Sequence, residues 1–175
     1  MINFDSLPTT SEYTVEADVY LAHIEKAEMR TPKPDANGNR KPDYLNLQYR
    51  LTRHNGKKAG VMFDGQYESD KQLIQYKLAR FLKACKIPLQ GQMELKDIAT
   101  LVLNKDIVVD AVVDESGSRP KLQVDLFGRE AYYPVEQFDE IWNLAHPEGN
   151  EFMPAPEGEV PFMEVPESES EEVEY

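Results

Sequence analysis

Apolar residues recur at every second position near the start of the chain, which is the pattern of a strand with one face in a core. The residues that carry this alternation are Tyr13, Val15, Ala17, Val19 and Leu21. The apolar phase then moves to Ala22 and Ile24, so the pattern predicts a bend or bulge near Tyr20. The first element is therefore predicted to be an irregular strand.

Two further strands are predicted, joined by the turn signal Asn55-Gly56. The second strand runs from Tyr44 to His54 and has two alternating phases. Its apolar phase is Leu45, Leu47, Tyr49 and Leu51, and its polar phase is Asn46, Gln48, Arg50 and Thr52. The returning third strand is marked by Val61, Phe63, Gly65 and Tyr67. This alternation places Tyr49 in the core and leaves Phe63 open to either face.

The period then changes from that of a strand to that of a helix. Ser69 and Gln72 have the spacing of a capping box, and apolar residues continue at helical spacing until Pro88. We predict one helix from Asp70 to Lys86 and a shorter one from Glu94 to Leu103. Cys85 falls in the apolar pattern of the first helix, which predicts a buried thiol.

Two more strands complete the pattern, Ile107 to Val113 and Lys121 to Phe127, with Ser116-Gly117-Ser118 as the hairpin between them. A short helix is predicted from Val135 to Leu144. Three strands, helices and two strands are the order of the OB-fold. We therefore predict a mainly β domain with α, a five-stranded OB-fold Greek-key barrel with a helical insertion between strands 3 and 4.

The composition changes after Leu144. Residues Ala145 to Tyr175 contain ten glutamates and no lysine or arginine. Such a segment has too little apolar surface to offset its ordering entropy, and its charges repel one another. We predict an ordered domain over 1–144 and a disordered acidic tail over 145–175. The end of this tail is the expected partner-binding segment, made of Glu171, Glu172, Val173, Glu174 and Tyr175.

Charge is distributed unevenly along the chain, whose formal net charge is −13. Ten of the 32 acidic residues belong to the predicted tail, and all 19 basic residues precede it. From Lys26 to Lys86 there are 14 basic residues against six acidic ones. A basic middle and an acidic end predict a surface that binds a polyanion and a tail that competes for it. A chance local excess on a mixed surface is the alternative.

No motif for catalysis or metal binding is found in the sequence. The three histidines are far apart and lack the paired spacing of a zinc site, and Cys85 is the only cysteine. A phosphate-binding loop, a dinucleotide fingerprint and a nucleophile elbow are also missing. We therefore predict no catalytic residue, no metal, no cofactor and no enzymatic activity. The lone cysteine and the lack of an apolar leader or span predict a cytoplasmic protein without membrane association.

Cations and aromatic side chains occur together around the second and third predicted strands. Binding of single-stranded nucleic acid requires both, because cations follow the phosphates and flat rings stack on the bases. Tyr44 shares the polar phase of the second strand, which makes it the best candidate for stacking. The helix cations Lys71, Lys77, Arg80, Lys83 and Lys86 are assigned to a solvated face. The candidate binding residues are Lys33, Arg40, Lys41, Tyr44, Asn46, Gln48, Arg50, Arg53, Lys57, Lys58, Phe63 and Tyr67.

Several short segments resemble a known family. They are Asn3-Phe4-Asp5, Tyr13-x-Val15, Tyr44-Leu45-Asn46-Leu47, Phe63-Asp64, the RFLKAC segment from Arg80 to Cys85, and LVLNKDIVVDAVV. Together they resemble small bacteriophage single-stranded DNA-binding proteins of replication, recombination or repair. The resemblance implies an OB-fold, sequence-tolerant binding of single-stranded DNA, no chemistry of its own and action in the host cytoplasm. The acidic tail with its terminal Tyr175 is similar to the tails by which such proteins recruit replication and repair enzymes.

A second interpretation belongs to another functional class. The overall negative charge is also typical of an acidic protein-interaction module or a DNA mimic that inhibits a host nucleic-acid enzyme. The charge of the ordered domain discriminates the two, since DNA binding requires a positive groove and mimicry a negative face. A homodimer, through a barrel edge or the helix from Val135 to Leu144, is compatible with either interpretation.

Overall fold

Six β-strands and three α-helices make up the computed structural model, which describes residues 3, 5 and 15–148. The strands are β1 (Asp18–Arg30), β2 (Tyr44–Thr52), β3 (Lys58–Gln66), β4 (Asp106–Asp114), β5 (Lys121–Val124) and β6 (Tyr132–Pro134). The helices are α1 (Gln72–Ala84), α2 (Leu95–Val102) and α3 (Phe138–Ala145), the last preceded by a 3-10 turn, Val135–Gln137. None of the described helices has the length and apolar character needed to cross a membrane.

The strands are joined in the order β3-β2-β1-β4-β5, with β6 paired to β4, and every pairing is antiparallel. The two strands at the ends of this order, β3 and β5, also come into contact. The result is a nearly closed five-stranded antiparallel barrel with three helices, consistent with an OB-like barrel. The predicted mainly β class is confirmed. Along the chain, α1 and α2 follow β3 and precede β4.

Contacts divide the chain into two units, Met1–Asp139 and Glu140–Tyr175. The barrel belongs to the first unit. In the second unit, Trp142 and His146 stack with ring centroids 4.1 Å apart, and His146 Nδ1 lies 2.8 Å from the Trp142 carbonyl oxygen. Residues 149–175 of the predicted acidic tail lie outside the described residues. So does the expected partner-binding segment, Glu171, Glu172, Val173, Glu174 and Tyr175.

The first strand differs from its predicted pattern. Val19 and Tyr20 are both fully buried, and no bulge lies near Tyr20. The register shift against β2 occurs between Ile24 and Lys26. The reason is that β1 pairs with both neighbours up to His23, where its pairing with β4 ends. Beyond His23, β1 is paired with β2 alone, so an extra residue disrupts fewer backbone hydrogen bonds there.

The core is formed by the inner faces of the strands and by one side of α1 and α2. The predicted inner face of β2 is confirmed, since Leu45, Leu47, Tyr49 and Leu51 are all fully buried. Helix α1 contributes Phe81 and Ala84. Cys85, which follows α1, is buried as predicted, and burial raises the pKa of its thiol to about 12. The thiol is therefore protonated at neutral pH and is a packing group.

The first helix begins later than predicted, at Gln72. The Ser69 hydroxyl accepts a hydrogen bond from the Lys71 amide at 3.1 Å, in the turn before the helix, and no side chain caps α1. The predicted capping box at Ser69 is therefore wrong. A capping box is present instead at α2, between Glu94 and Asp97.

Candidate nucleic-acid interface

One side of β1, β2 and β3 faces away from the core and is called the outer face here. The pairing of β2 with β3 places Gln48 opposite Phe63, Asn46 opposite Gly65 and Arg50 opposite Val61. Side chains alternate between the two sides of a strand, so these pairs project on the side opposite Leu47 and Tyr49. The predicted polar phase of β2 and the marked residues of β3 thus share one surface.

Aromatic side chains occupy the part of the outer face nearest the end of β3. The sequence left open which face of the strand carries Phe63. Its side chain is 59% exposed and lies on the outer face. The rings of Tyr44 and Tyr67 stack with centroids 5.1 Å apart and planes 18° from parallel. A Cβ atom built on Gly65 would lie 3.0 Å from the Tyr67 ring, so Tyr67 folds back over this glycine. Tyr44 is therefore half of a preformed stacked pair, with Phe63 exposed nearby.

Five of the predicted cations are exposed and have no ion-pair partner among the described residues. They form two groups at opposite ends of β2. The loop that enters β2 carries Lys33, Arg40 and Lys41. At the other end, Lys57 lies in the turn that leaves β2, and Lys58 is the first residue of β3. These cations bracket the outer face along the direction of the strand.

The loop from Thr31 to Asp43 is organised by its own hydrogen bonds. At its tip, the Asp35 carboxylate accepts hydrogen bonds from the backbone amides of Asn37 and Asn39, both at 2.9 Å. These bonds lower the pKa of Asp35, with that from Asn39 the larger cause. At its base, the Thr31 hydroxyl donates to the Asp43 carboxylate at 2.8 Å. Hydrogen bonds therefore hold both the tip and the base of the loop that carries the three cations.

Two predicted cations are held in ion pairs. Arg50 contacts Glu25 through Nε and Nη2, each 3.0 Å from Oε1. Arg53 pairs with Glu16, and its guanidinium lies 5.6 Å from the centre of the Tyr20 ring. Only 16% of the Arg53 side chain is exposed. Arg50 and Arg53 stay candidate binding residues, but each shares its charge with a neighbouring glutamate.

The outer face also contains four charged residues of β1 that the prediction missed, Glu25, Lys26, Glu28 and Arg30. The pairing with β2 places Lys26 opposite Gln48 and Glu28 opposite Asn46. Glu28 and Arg30 pair at 3.1 Å. The sequence signal was the break in alternation at Ile24-Glu25-Lys26, which marks the bulge that moves these residues outward. The outer face is therefore mixed in charge, and its open cations lie mainly at its ends.

A buried polar network lies beneath the aromatic part of the outer face. The Asp64 carboxylate accepts hydrogen bonds from the hydroxyl of Tyr49 at 2.9 Å, the hydroxyl of Tyr132 and the ammonium of Lys77 at 2.8 Å. Burial, and then the negative charge of Asp64, raise the pKa of Tyr49 and Tyr132 well above 10. Both hydroxyls therefore remain protonated and donate. Gln66 Nε2 donates to the Tyr132 hydroxyl at 2.9 Å.

The assignment of Lys77 to a solvated helix face is wrong. Only 14% of its side chain is exposed, and its ammonium also donates to the Gly65 carbonyl at 2.7 Å. Lys77 thus ties α1 to the end of β3 at Gly65, the glycine over which the Tyr67 ring folds. Lys86 pairs with Glu136 at 2.6 Å, whereas Lys83 is exposed. The helix cations therefore differ in role, which helical spacing alone does not distinguish.

Histidine and carboxylate pairs occur elsewhere on the first unit. His23 lies 2.7 Å from Asp106, and His54 lies 2.7 Å from Asp139. Within residues 3, 5 and 15–148, no three histidine, cysteine or acidic side chains are arranged to hold a metal ion.

The chain matches no protein-family model, and no curated protein matches it. The outer face presents an exposed phenylalanine beside a stacked tyrosine pair. At each end it has exposed cations that have no ion-pair partner among the described residues.

Proposed function

We propose that the chain is a single-stranded DNA-binding protein that binds through the outer face with little overall sequence preference. The observation that carries this proposal is the exposed ring of Phe63 next to the Tyr44–Tyr67 stack. Unpaired bases have free faces, and stacking on an aromatic ring contributes about 1–3 kcal/mol per base. Duplex DNA has no such faces to offer.

The open cations fit the same ligand. A nine-residue strand such as β2 spans about 30 Å. Cations at the two ends of β2 are therefore separated by the length of several nucleotides, which is the order of the site size of an OB-fold. A single strand along β2 would place its phosphates near the loop from Thr31 to Asp43 at one end and near Lys57 and Lys58 at the other. Its bases would then stack over Phe63 and Tyr67.

The finer architecture and the biological role form part of the proposal. The strand order, with α1 and α2 between β3 and β4, supports an OB-fold with a helical insertion. The resemblance noted above supports a phage protein of DNA replication, recombination or repair, active in the host cytoplasm and without enzymatic activity. Residues 171–175 would recruit partner enzymes.

Preference for single strands is the direct test of this proposal. The full-length protein is expected to bind a mixed-sequence single strand much more tightly than the corresponding duplex. Its affinity should fall with added salt, with a log–log slope of about −0.7 for each phosphate neutralised. Fluorescence anisotropy at several salt concentrations measures both properties. Equal affinity for the single strand and the duplex would contradict the proposal.

Removal of the acidic segment is expected to raise affinity for single-stranded DNA at low salt. A variant ending at Glu148 lacks nine glutamates. When tethered to the domain, these carboxylates compete with phosphates at high effective concentration. The gain in affinity should shrink as salt screens the charges. The measurement is a salt titration of binding by the two proteins.

Two control variants distinguish competition by the charges of the acidic segment from recruitment of partner enzymes by its end. Replacing the same nine glutamates by glutamine keeps the length and should reproduce the gain if charge is the cause. Deleting only Val173 to Tyr175 removes one charge, so it should leave DNA affinity almost unchanged while abolishing recruitment of replication or repair enzymes in a pull-down. If the variant ending at Glu148 shows no gain at low salt, the segment does not regulate DNA binding.

A further inference from the structure

Glu25 is a carboxylate on a surface proposed to bind DNA. It lies at the bulge of β1, between Ile24, which pairs with Tyr49, and Lys26, which pairs with Gln48. Bulges redirect the side chain of the extra residue. The Glu25 side chain is 20% exposed, so it is held by the surface but remains reachable from solvent.

Two residues of β2 fix the position of this carboxylate. Gln48 donates through Nε2 to Oε2, and Arg50 donates through Nε to Oε1 at 3.0 Å and through Nη2 to Oε2 at 3.3 Å. These bonds lower the pKa of Glu25, with the bond from Gln48 the largest cause. The carboxylate is therefore ionised at neutral pH. An ionised carboxylate has about four acceptor positions, so these three hydrogen bonds leave about one for another donor.

The cluster lies beside the exposed aromatic ring. Gln48 is directly opposite Phe63 in the pairing of β2 with β3. Glu25 lies on β1, the strand that pairs with β2. Neighbouring strands are about 4.8 Å apart, so Glu25 is one strand spacing beyond Gln48. A base stacked on Phe63 and extending over Gln48 directs its hydrogen-bonding edge at Glu25.

We propose that the Glu25–Gln48–Arg50 cluster reads the edge of the base stacked on Phe63 and favours a base with an exocyclic amino group. The inference rests on the proposed binding of single-stranded DNA and adds one position of base discrimination to it. Glu25 accepts a hydrogen bond from the N4 amino group of cytosine, a pairing that carboxylates make in nucleic-acid recognition. Thymine and uracil present a carbonyl oxygen there, which the carboxylate repels. Glu25 is thus the residue that sets specificity.

The test compares single-stranded homopolymers of dC, dT and dU of equal length at neutral pH and fixed salt. Wild-type protein is expected to bind dC about fivefold more tightly than dT or dU, the low end of discrimination by a base contact. The dU strand separates the amino group from the effect of the thymine methyl group. Glu25→Gln should abolish the preference, because an amide is uncharged and keeps one acceptor oxygen, whose two lone pairs face Arg50 Nε and Nη2. Glu25→Ala, which removes the acceptor, should do the same.

The matched control is Glu28→Gln, which removes a charge from the same strand away from Gln48. It should keep the preference for dC. Equal binding of dC and dT by the wild-type protein, while both bind well, would overturn base reading and leave the proposed function standing. A uniform gain for all three strands in Glu25→Gln, with the dC preference unchanged, would also overturn it. If no homopolymer binds, the proposed function itself fails, and this inference with it.

Discussion

Replacing Phe63 by alanine is expected to weaken binding of single-stranded DNA by about 1–3 kcal/mol. The ring is exposed on the outer face, so it makes few contacts in the free protein that the substitution removes. The free energy of unfolding should therefore change by no more than about 0.5 kcal/mol. The affinity is measured by fluorescence anisotropy, and the stability by urea denaturation of the same samples.

Phe127→Ala is the matched control for this prediction. Phe127 is 89% exposed and follows β5, and its backbone amide donates to the Asp125 carboxylate at 3.0 Å. Phe127 is thus another exposed phenylalanine, but it is not part of the outer face formed by β1, β2 and β3. Its loss should leave DNA affinity unchanged. Equal losses in the two variants would show that exposed apolar area in general, and not the outer face, drives binding.

Replacing Lys77 by methionine is expected to lower the free energy of unfolding by about 3–5 kcal/mol. Methionine fills a similar volume but leaves the Asp64 carboxylate without its cation. The Asp64 side chain is only 5% exposed, so water does not replace the lost ammonium. The hydroxyls of Tyr49 and Tyr132 still donate to it but carry no formal charge. Urea or thermal denaturation measures the loss.

Two further variants isolate the buried pair. Lys83→Met, an exposed position on the same helix, should change stability by no more than about 0.5 kcal/mol. Adding Asp64→Asn to Lys77→Met removes the unpaired charge and should recover most of the loss, as a double-mutant cycle would show. A loss below about 1 kcal/mol in Lys77→Met would mean that the ion pair contributes little to stability.

The alternation of apolar and polar residues was sufficient to place the side chains of β2. Leu45 to Leu51 alternate over a full strand, and a slip of one residue would expose the whole apolar set. For β3 the same rule was ambiguous, because Val61 and Phe63 are apolar while Asp64 and Gln66 are polar. In the structure the polar pair is buried and the phenylalanine is exposed. Hydrogen-bond partners distant in sequence, Tyr132 and Lys77, make that burial possible.

Sequence alone determined the mainly β class, the approximate positions of five strands and three helices, and the grouping of cations around β2, because these properties depend on neighbours within a few residues. The short strand β6 was not predicted. The tertiary structure alone decided which cations are open. Arg50, Arg53 and Lys77 meet Glu25, Glu16 and Asp64 only when strands and helix are brought together. Charge on a side chain is a local property, whereas its neutralisation depends on partners that folding supplies.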